Sequence, residues 1–183
     1  MPRLFVAIDL DPEQASSLAS WRDDSLNARW MPEHQYHLTL RFVGEANDEV
    51  ADRLAEALTE ARGAPFELSS IGMDVFPSRR RPRVLVVRVA PNPELIRIQT
   101  SIDQLVVDLG LPDDKKAFNP HITIARFRMV RPQQVREYLV RYSDFRLPPA
   151  TVRSFHLYRS DLSPKGAKHS ILETYPLYQE GSV

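Results

Sequence analysis

Apolar residues recur along this chain at two periods, every second residue in some stretches and every three to four in others. The first period marks half-buried strands and the second marks amphipathic helices. Leu4-Phe5-Val6-Ala7-Ile8 is a short continuous apolar run and predicts a buried strand. Asp11, Pro12 and Glu13 then open a helix to about Ser25, with a capping residue, a first-turn proline and an acid beside it. Ala28 to Pro32 reads as a short strand, and Tyr36 to Phe42 as a longer one closed by Gly44. Asn47 caps a second helix through about Arg62, with Val50, Leu54 and Leu58 on one stripe. Phe66 to Phe76 predicts one strand and Arg83 to Ala90 its hairpin partner. Pro93 opens a third helix, whose Leu95, Ile98, Ile102, Leu105, Val106 and Leu109 lie at core spacing, and Gly110 ends it. A strand from His121 to about Arg128 and a helix from Pro132 to about Arg141 follow. Strands Val152 to Arg159 and Lys168 to Tyr178 close the series around the turn Pro164-Lys165-Gly166.

The order is strand, helix, strand, helix, hairpin, then helix, strand, helix, hairpin. That rhyme implies an α+β fold: two pseudo-symmetric lobes of mostly antiparallel sheet with outer helices, a cleft between them, and one bilobal domain over 1–183. The rhyme is sharpest in two tetrapeptides about eighty residues apart, His37-Leu38-Thr39-Leu40 and His121-Ile122-Thr123-Ile124. On a strand, residues i and i+2 share a face, so His37 travels with Thr39 and His121 with Thr123. The four aliphatic partners point into the core. Two such strands facing one cleft supply two imidazoles and two hydroxyls, a workable set for breaking a phosphodiester.

Composition narrows the classes. The chain has 183 residues, enough for a sizeable core, and no cysteine, which excludes disulfides, thiolate metal sites and a cysteine nucleophile. Lysine plus arginine and aspartate plus glutamate balance at 24 each, so a broad nucleic-acid footprint is not expected, although a local basic cleft is compatible with zero net charge. The amino-terminal apolar run is too short for a signal peptide or a membrane span, and we expect a cytoplasmic protein, monomeric and without membrane contact. The run Arg79-Arg80-Arg81 between Pro77 and Pro82 reads either as a solvated loop tip or as a clamp for RNA phosphates.

Together with the paired motifs, Leu4-Phe5-Val6-Ala7-Ile8, Arg29-Trp30, Phe42-Val43-Gly44-Glu45, Phe76-Pro77, Pro120 through Arg126 and Leu157-Tyr158-Arg159-Ser160 resemble the RNA 2′,3′-cyclic phosphodiesterases, or 2′-5′ RNA ligases, of the 2H phosphoesterase superfamily. The resemblance covers nearly the whole chain. It implies hydrolysis of an RNA 2′,3′-cyclic phosphate, with tRNA ends as one candidate, to a 2′-phosphomonoester without metal or cofactor. It orders the histidines, with His37 as proton donor to the 3′ oxygen and His121 as proton acceptor from water. The residues by themselves leave that order open. Thr39 and Thr123 are expected to donate hydrogen bonds to phosphate oxygens.

For the phosphate-binding cation, the resemblance favours Arg126, whereas strict alternation favours Arg41, which has the parity of His37 and Thr39. Phe5, Tyr36 and Phe42 are candidates to stack on a base. One departure stands out: the family's tyrosine three residues after Gly166 is His169 here, so His169 is a further candidate for lining the cleft. His156 reads as structural. Alternatives are the reverse reaction, 2′-5′ joining of RNA ends; a non-catalytic RNA-end or nucleotide-binding module; and the same chemistry on another cyclic phosphate or on a 2′-5′ oligonucleotide.

Overall fold

Local signals fix most element starts. Asp11 accepts a hydrogen bond from the Glu13 amide, Asn47 from Val50 and Asn92 from Leu95, each at 2.9 Å, so three helices begin at a side-chain cap. In the computed structural model, which describes residues 1–164 and 166–178, the strands are β1 (Arg3–Asp9), β2 (Ala28–Trp30), β3 (His37–Glu45), β4 (Phe66–Leu68), β5 (Ser70–Ser78), β6 (Arg81–Val89), β7 (His121–Phe127), β8 (Ala150–Val152), β9 (Ser154–Ser163) and β10 (Gly166–Pro176). The helices are α1 (Pro12–Ala19), α2 (Asp48–Leu58), α3 (Pro93–Asp108) and α4 (Pro132–Arg141). Lys165, in the expected last turn, lies outside the described residues. Among the described residues no helix is long and apolar enough to cross a membrane.

Two helices are shorter than expected and two expected strands divide: α2 ends at Leu58 rather than near Arg62, and the strand expected from Val152 to Arg159 belongs to β8 up to Val152 and to β9 from Ser154. Helix α1 stops at Ala19 rather than near Ser25, because Asp23 accepts from the Ser25 amide at 2.9 Å and turns the chain there. The turn brings Trp21 edge-on to Phe145 at 4.4 Å and buries Leu26. The expected strand from Phe66 to Phe76 is two: β4 pairs with β8 in a small ladder, then the chain changes sheets and β5 pairs with β6.

The main sheet runs β10-β9-β1-β3-β7-β6-β5, with β2 also against β7, and its pairings are antiparallel. Its two halves meet at a single partner pair, Leu38 with Ile122. Beyond that pair β3 follows β1 and β7 follows β6, so the sheet splits and opens a cleft on one face. The halves are not consecutive in sequence. The hairpin β5–β6 joins the second motif strand, and β9–β10 joins β1 and the first. The other face carries the core: Leu38, Leu40, Ile122 and Ile124 are buried there with Leu95, Ile98, Ile102 and Val106 of α3. Burying those side chains is what holds the two motif strands side by side.

Candidate active site

An antiparallel pair centred on Leu38 and Ile122 sets His37 toward Thr123 and Thr39 toward His121. All four polar side chains line one cleft of about 710 Å³. Each imidazole is fixed the same way. His37 Nδ1 lies 2.8 Å from the Gln35 carbonyl oxygen, and His121 Nδ1 lies 2.7 Å from that of Asn119. A carbonyl only accepts, so each Nδ1 carries hydrogen and donates. That leaves both Nε2 atoms as the sites where protons come and go. Gln35 also reaches β10, its side-chain amide donating to the Ala167 carbonyl at 3.4 Å.

The rings differ in surroundings. His37 sits against Phe5, with centroids 5.1 Å apart, and edge-on to His169 at 5.8 Å. Burial pushes its pKa below the ordinary histidine value, and the nearby His169 and His121 push the same way, against the Gln35 carbonyl and Asp9. Burial also lowers His169, helped by Arg126 and His34. Phe5 is itself stacked on Tyr158 at 5.0 Å, so the wall beside His37 is aromatic. His121 meets one aromatic edge, Phe76 at 4.9 Å.

Phe5, Phe42, Arg126 and His169 line the cleft as expected. Tyr36 does not: it is buried in the core, on the face away from the cleft, because it precedes His37 by one residue and so has opposite parity. Arg41 does not either. Ala7 pairs with Thr39 and Val6 with Arg41, so Leu40 is an extra residue and the parity of β3 inverts there. Arg41 turns into the protein, 3% exposed, and donates to Asp103 and to the Pro112 carbonyl. The same shift in β7, where Val86 pairs with Thr123 and Leu85 with Ala125, brings Arg126 back to the cleft face. His156 stays off the cleft, its Nδ1 at 2.9 Å from Thr174 Oγ1 and its Nε2 at 3.6 Å from Asp9.

Sequence reasoning gave no role to Arg29 or Arg3, which also line the cleft. Arg29 is the cross-strand partner of Arg126. Two like charges opposite each other are unfavourable unless an anion lies between them. Among the described residues neither is ion-paired, so the pair leaves two guanidinium charges open to the cleft. Gly166 makes room for it. Its φ is +120°, and a Cβ there would run into the Arg29 guanidinium. Among the described residues no group of three or more His, Cys, Asp or Glu side chains could hold a metal ion. The cleft thus offers two proton-exchanging imidazoles, two hydroxyls and an arginine pair.

Comparisons with known proteins agree with this geometry. The model of the 2′-5′ RNA ligase superfamily matches residues 10–164. A curated protein of Archaeoglobus fulgidus named RNA 2′,3′-cyclic phosphodiesterase is 31% identical over 94% of this chain and 99% of its own. A crystal structure of a Thermus thermophilus protein is 31% identical with a TM-score of 0.77, covering 97% of this chain and 99% of that one. E. coli LigT, solved in complex with 3′-AMP, is 25% identical with a TM-score of 0.77, covering 98% of this chain and 100% of that one. With the family model spanning most of its length and two His-x-Thr strands meeting at its cleft, the chain belongs to the 2′-5′ RNA ligase superfamily.

Proposed function

We propose that this chain hydrolyses an RNA 2′,3′-cyclic phosphodiester to an RNA 2′-phosphomonoester, with His37 as general acid and His121 as general base. The observation that carries the reading is the pair of imidazoles, each tied at Nδ1 to a carbonyl and each presenting Nε2 to one arginine-lined cleft. His121 Nε2 takes a proton from water as the water oxygen bonds to phosphorus. The bond from phosphorus to the 3′ oxygen breaks, and His37 Nε2 gives that oxygen its proton. Thr39, Thr123, Arg29 and Arg126 hold the non-bridging oxygens as charge shifts onto them. Side chains supply acid, base and cations, and we read the reaction as metal-independent and free of cofactor.

The family resemblance orders acid and base. Phe5 and His169 lie beside His37, Phe42 lies toward His121 and Asn119, Arg126 is near enough to His169 to act on its charge, and Arg29 lies against Gly166 of β10. A nucleoside against the aromatic wall brings its ribose, and with it the leaving 3′ oxygen, toward His37. In-line displacement then calls for water on the opposite side, near His121. Burial lowers the His37 pKa and works against its acid form, so the acid role draws on the bound phosphate anion, whose charge favours the imidazolium. The E. coli relative was solved in complex with 3′-AMP, which supports a nucleotide as ligand here.

The lack of cysteine fits a reducing compartment, and we place the enzyme in the cytoplasm as a monomeric, single bilobal unit acting on RNA ends such as those of cleaved tRNA. The test is hydrolysis of a 2′,3′-cyclic nucleotide followed by phosphorus NMR. A 2′-phosphate should form, EDTA should leave the rate unchanged, and His37→Ala or His121→Ala should lower kcat by about 10²–10⁴-fold with the fold intact. Full activity in either variant would sink the assignment. The superfamily's description favours a second reading, joining of a 2′,3′-cyclic end to a 5′-hydroxyl end, in which the 5′ hydroxyl attacks phosphorus in place of water and the bond to the 3′ oxygen breaks as before. Water at about 55 M makes hydrolysis the default unless two ends are held together. A junction formed from paired tRNA halves would reveal joining.

A further inference from the structure

The cleft has a basic extension. Arg126 also lines a second, open groove of about 640 Å³, whose other walls include Arg80, Arg81, Arg83 and Arg128. These come from the β5–β6 hairpin and from the end of β7, two segments that the register brings together by pairing Val84 with Arg126. All four are exposed, and none has a carboxylate partner among the described residues. The remaining arginine of the hairpin's tip, Arg79, is paired with Asp74 at 3.3 Å. Met129, 80% exposed beside Arg128, gives the groove one apolar step. A neutral protein has therefore gathered unpaired cations along one track that begins at its phosphate site.

We propose that this groove binds the backbone of the RNA strand whose 2′,3′-cyclic end occupies the cleft, so that the preferred substrate is an oligonucleotide and not a mononucleotide. The inference rests on the reading of the cleft as a cyclic phosphodiesterase site. A planar guanidinium fork suits phosphate, and arginine also stacks on bases without regard to sequence. From Arg81 to Val84 the strand rises about 10 Å, room for roughly one or two backbone phosphates beyond the reacting one. The benefit of added length should therefore level off within about three nucleotides.

The experiment compares 2′,3′-cyclic AMP with single-stranded RNA of about six nucleotides ending in a 2′,3′-cyclic phosphate, in the wild type and in the double variant Arg80→Gln, Arg128→Gln. The wild type should show kcat/KM about tenfold or more higher for the RNA at low salt, falling with salt by about 0.7 log units per log unit of salt for each phosphate held. The double variant should lose that margin and flatten the salt slope, while 2′,3′-cyclic AMP hydrolysis stays within about twofold and thermal melting is unchanged. Equal kcat/KM for both substrates in the wild type, or an undiminished margin in the variant, overturns the groove and leaves the phosphodiesterase reading standing. Binding of a 2′-phosphate-ended RNA, measured by anisotropy, separates the two failures. Tight binding weakened by the double variant, in a protein that hydrolyses neither substrate, would keep the groove and sink the phosphodiesterase.

Discussion

Strands β3 and β7 carry the same His-aliphatic-Thr-aliphatic sequence, the same tie from Nδ1 to a carbonyl two residues back, and the same inserted residue after the threonine. They part company at the next two positions. In β3 these are Arg41, turned inward, and Phe42, turned to the cleft. In β7 they are Ala125, turned inward, and Arg126, turned to the cleft. The inward slot is small and apolar in one strand, so alanine suffices. In the other it holds a guanidinium whose charge Asp103 and the Pro112 carbonyl neutralise. The outward slot is aromatic on one strand and cationic on the other. Two nearly equivalent strands thereby present different side chains to one cleft, and the two imidazoles have different surroundings.

The largest effect should come from asking the two histidines for different things. A substrate whose leaving group needs no proton, such as bis(p-nitrophenyl) phosphate, bypasses a general acid. His37→Ala should lose about 10²–10⁴-fold on the cyclic nucleotide and recover most of that on the aryl ester, whereas His121→Ala should lose on both. The opposite pattern would exchange their roles. Next, Arg126→Ala should lower kcat by about 10²-fold, the scale for removing one preorganised donor. Phe42→Ala should raise KM by about tenfold for a cyclic nucleotide but leave a base-free ribose 2,3-cyclic phosphate untouched. Equal losses on the two substrates would refute stacking. Arg41→Ala should act on stability instead, by about 3 kcal/mol in urea unfolding, because it strands Asp103, with near-normal kcat in the folded fraction.

The smallest effect is a pH dependence. Burial lowers the pKa values of His37 and His169, so the folded state resists protonating them more than the unfolded chain does. Their neutral forms contribute stability fully above the unfolded value of about 6.5, and that contribution is lost as pH falls through their own lower values. Thermal melts from about pH 8 to 5 should show a decline on the acid side that a His37→Gln, His169→Gln variant flattens. An unchanged pH slope in that variant would contradict the burial effect.

The sheet-forming stretches, the four helices and the shared face of His37 with Thr39 and His121 with Thr123 were legible from period and caps, because those signals are local. Arg41 and Tyr36 show where locality ends. Tyr36 follows from parity alone and could have been excluded. Arg41 could not, since the inserted Leu40 exists only through pairing with β1. Resemblance pointed to Arg126 where alternation pointed away, and the matching insertion at Ile124 reconciles them. The break between β4 and β5 left only a change of apolar parity at Ser69-Ser70, and β8, the strand that claims β4, lies some eighty residues downstream. Arg29 gained meaning only when β2 was laid against β7.

Strand β1 lies clasped between β3 and β9, although β1 is the first strand and β9 the last but one. The aromatic wall beside His37, where Phe5 of β1 stacks on Tyr158 of β9, therefore closes only when segments about 150 residues apart find each other. Contacts of such long sequence separation are slow to form, so this wall is expected to be completed late in folding.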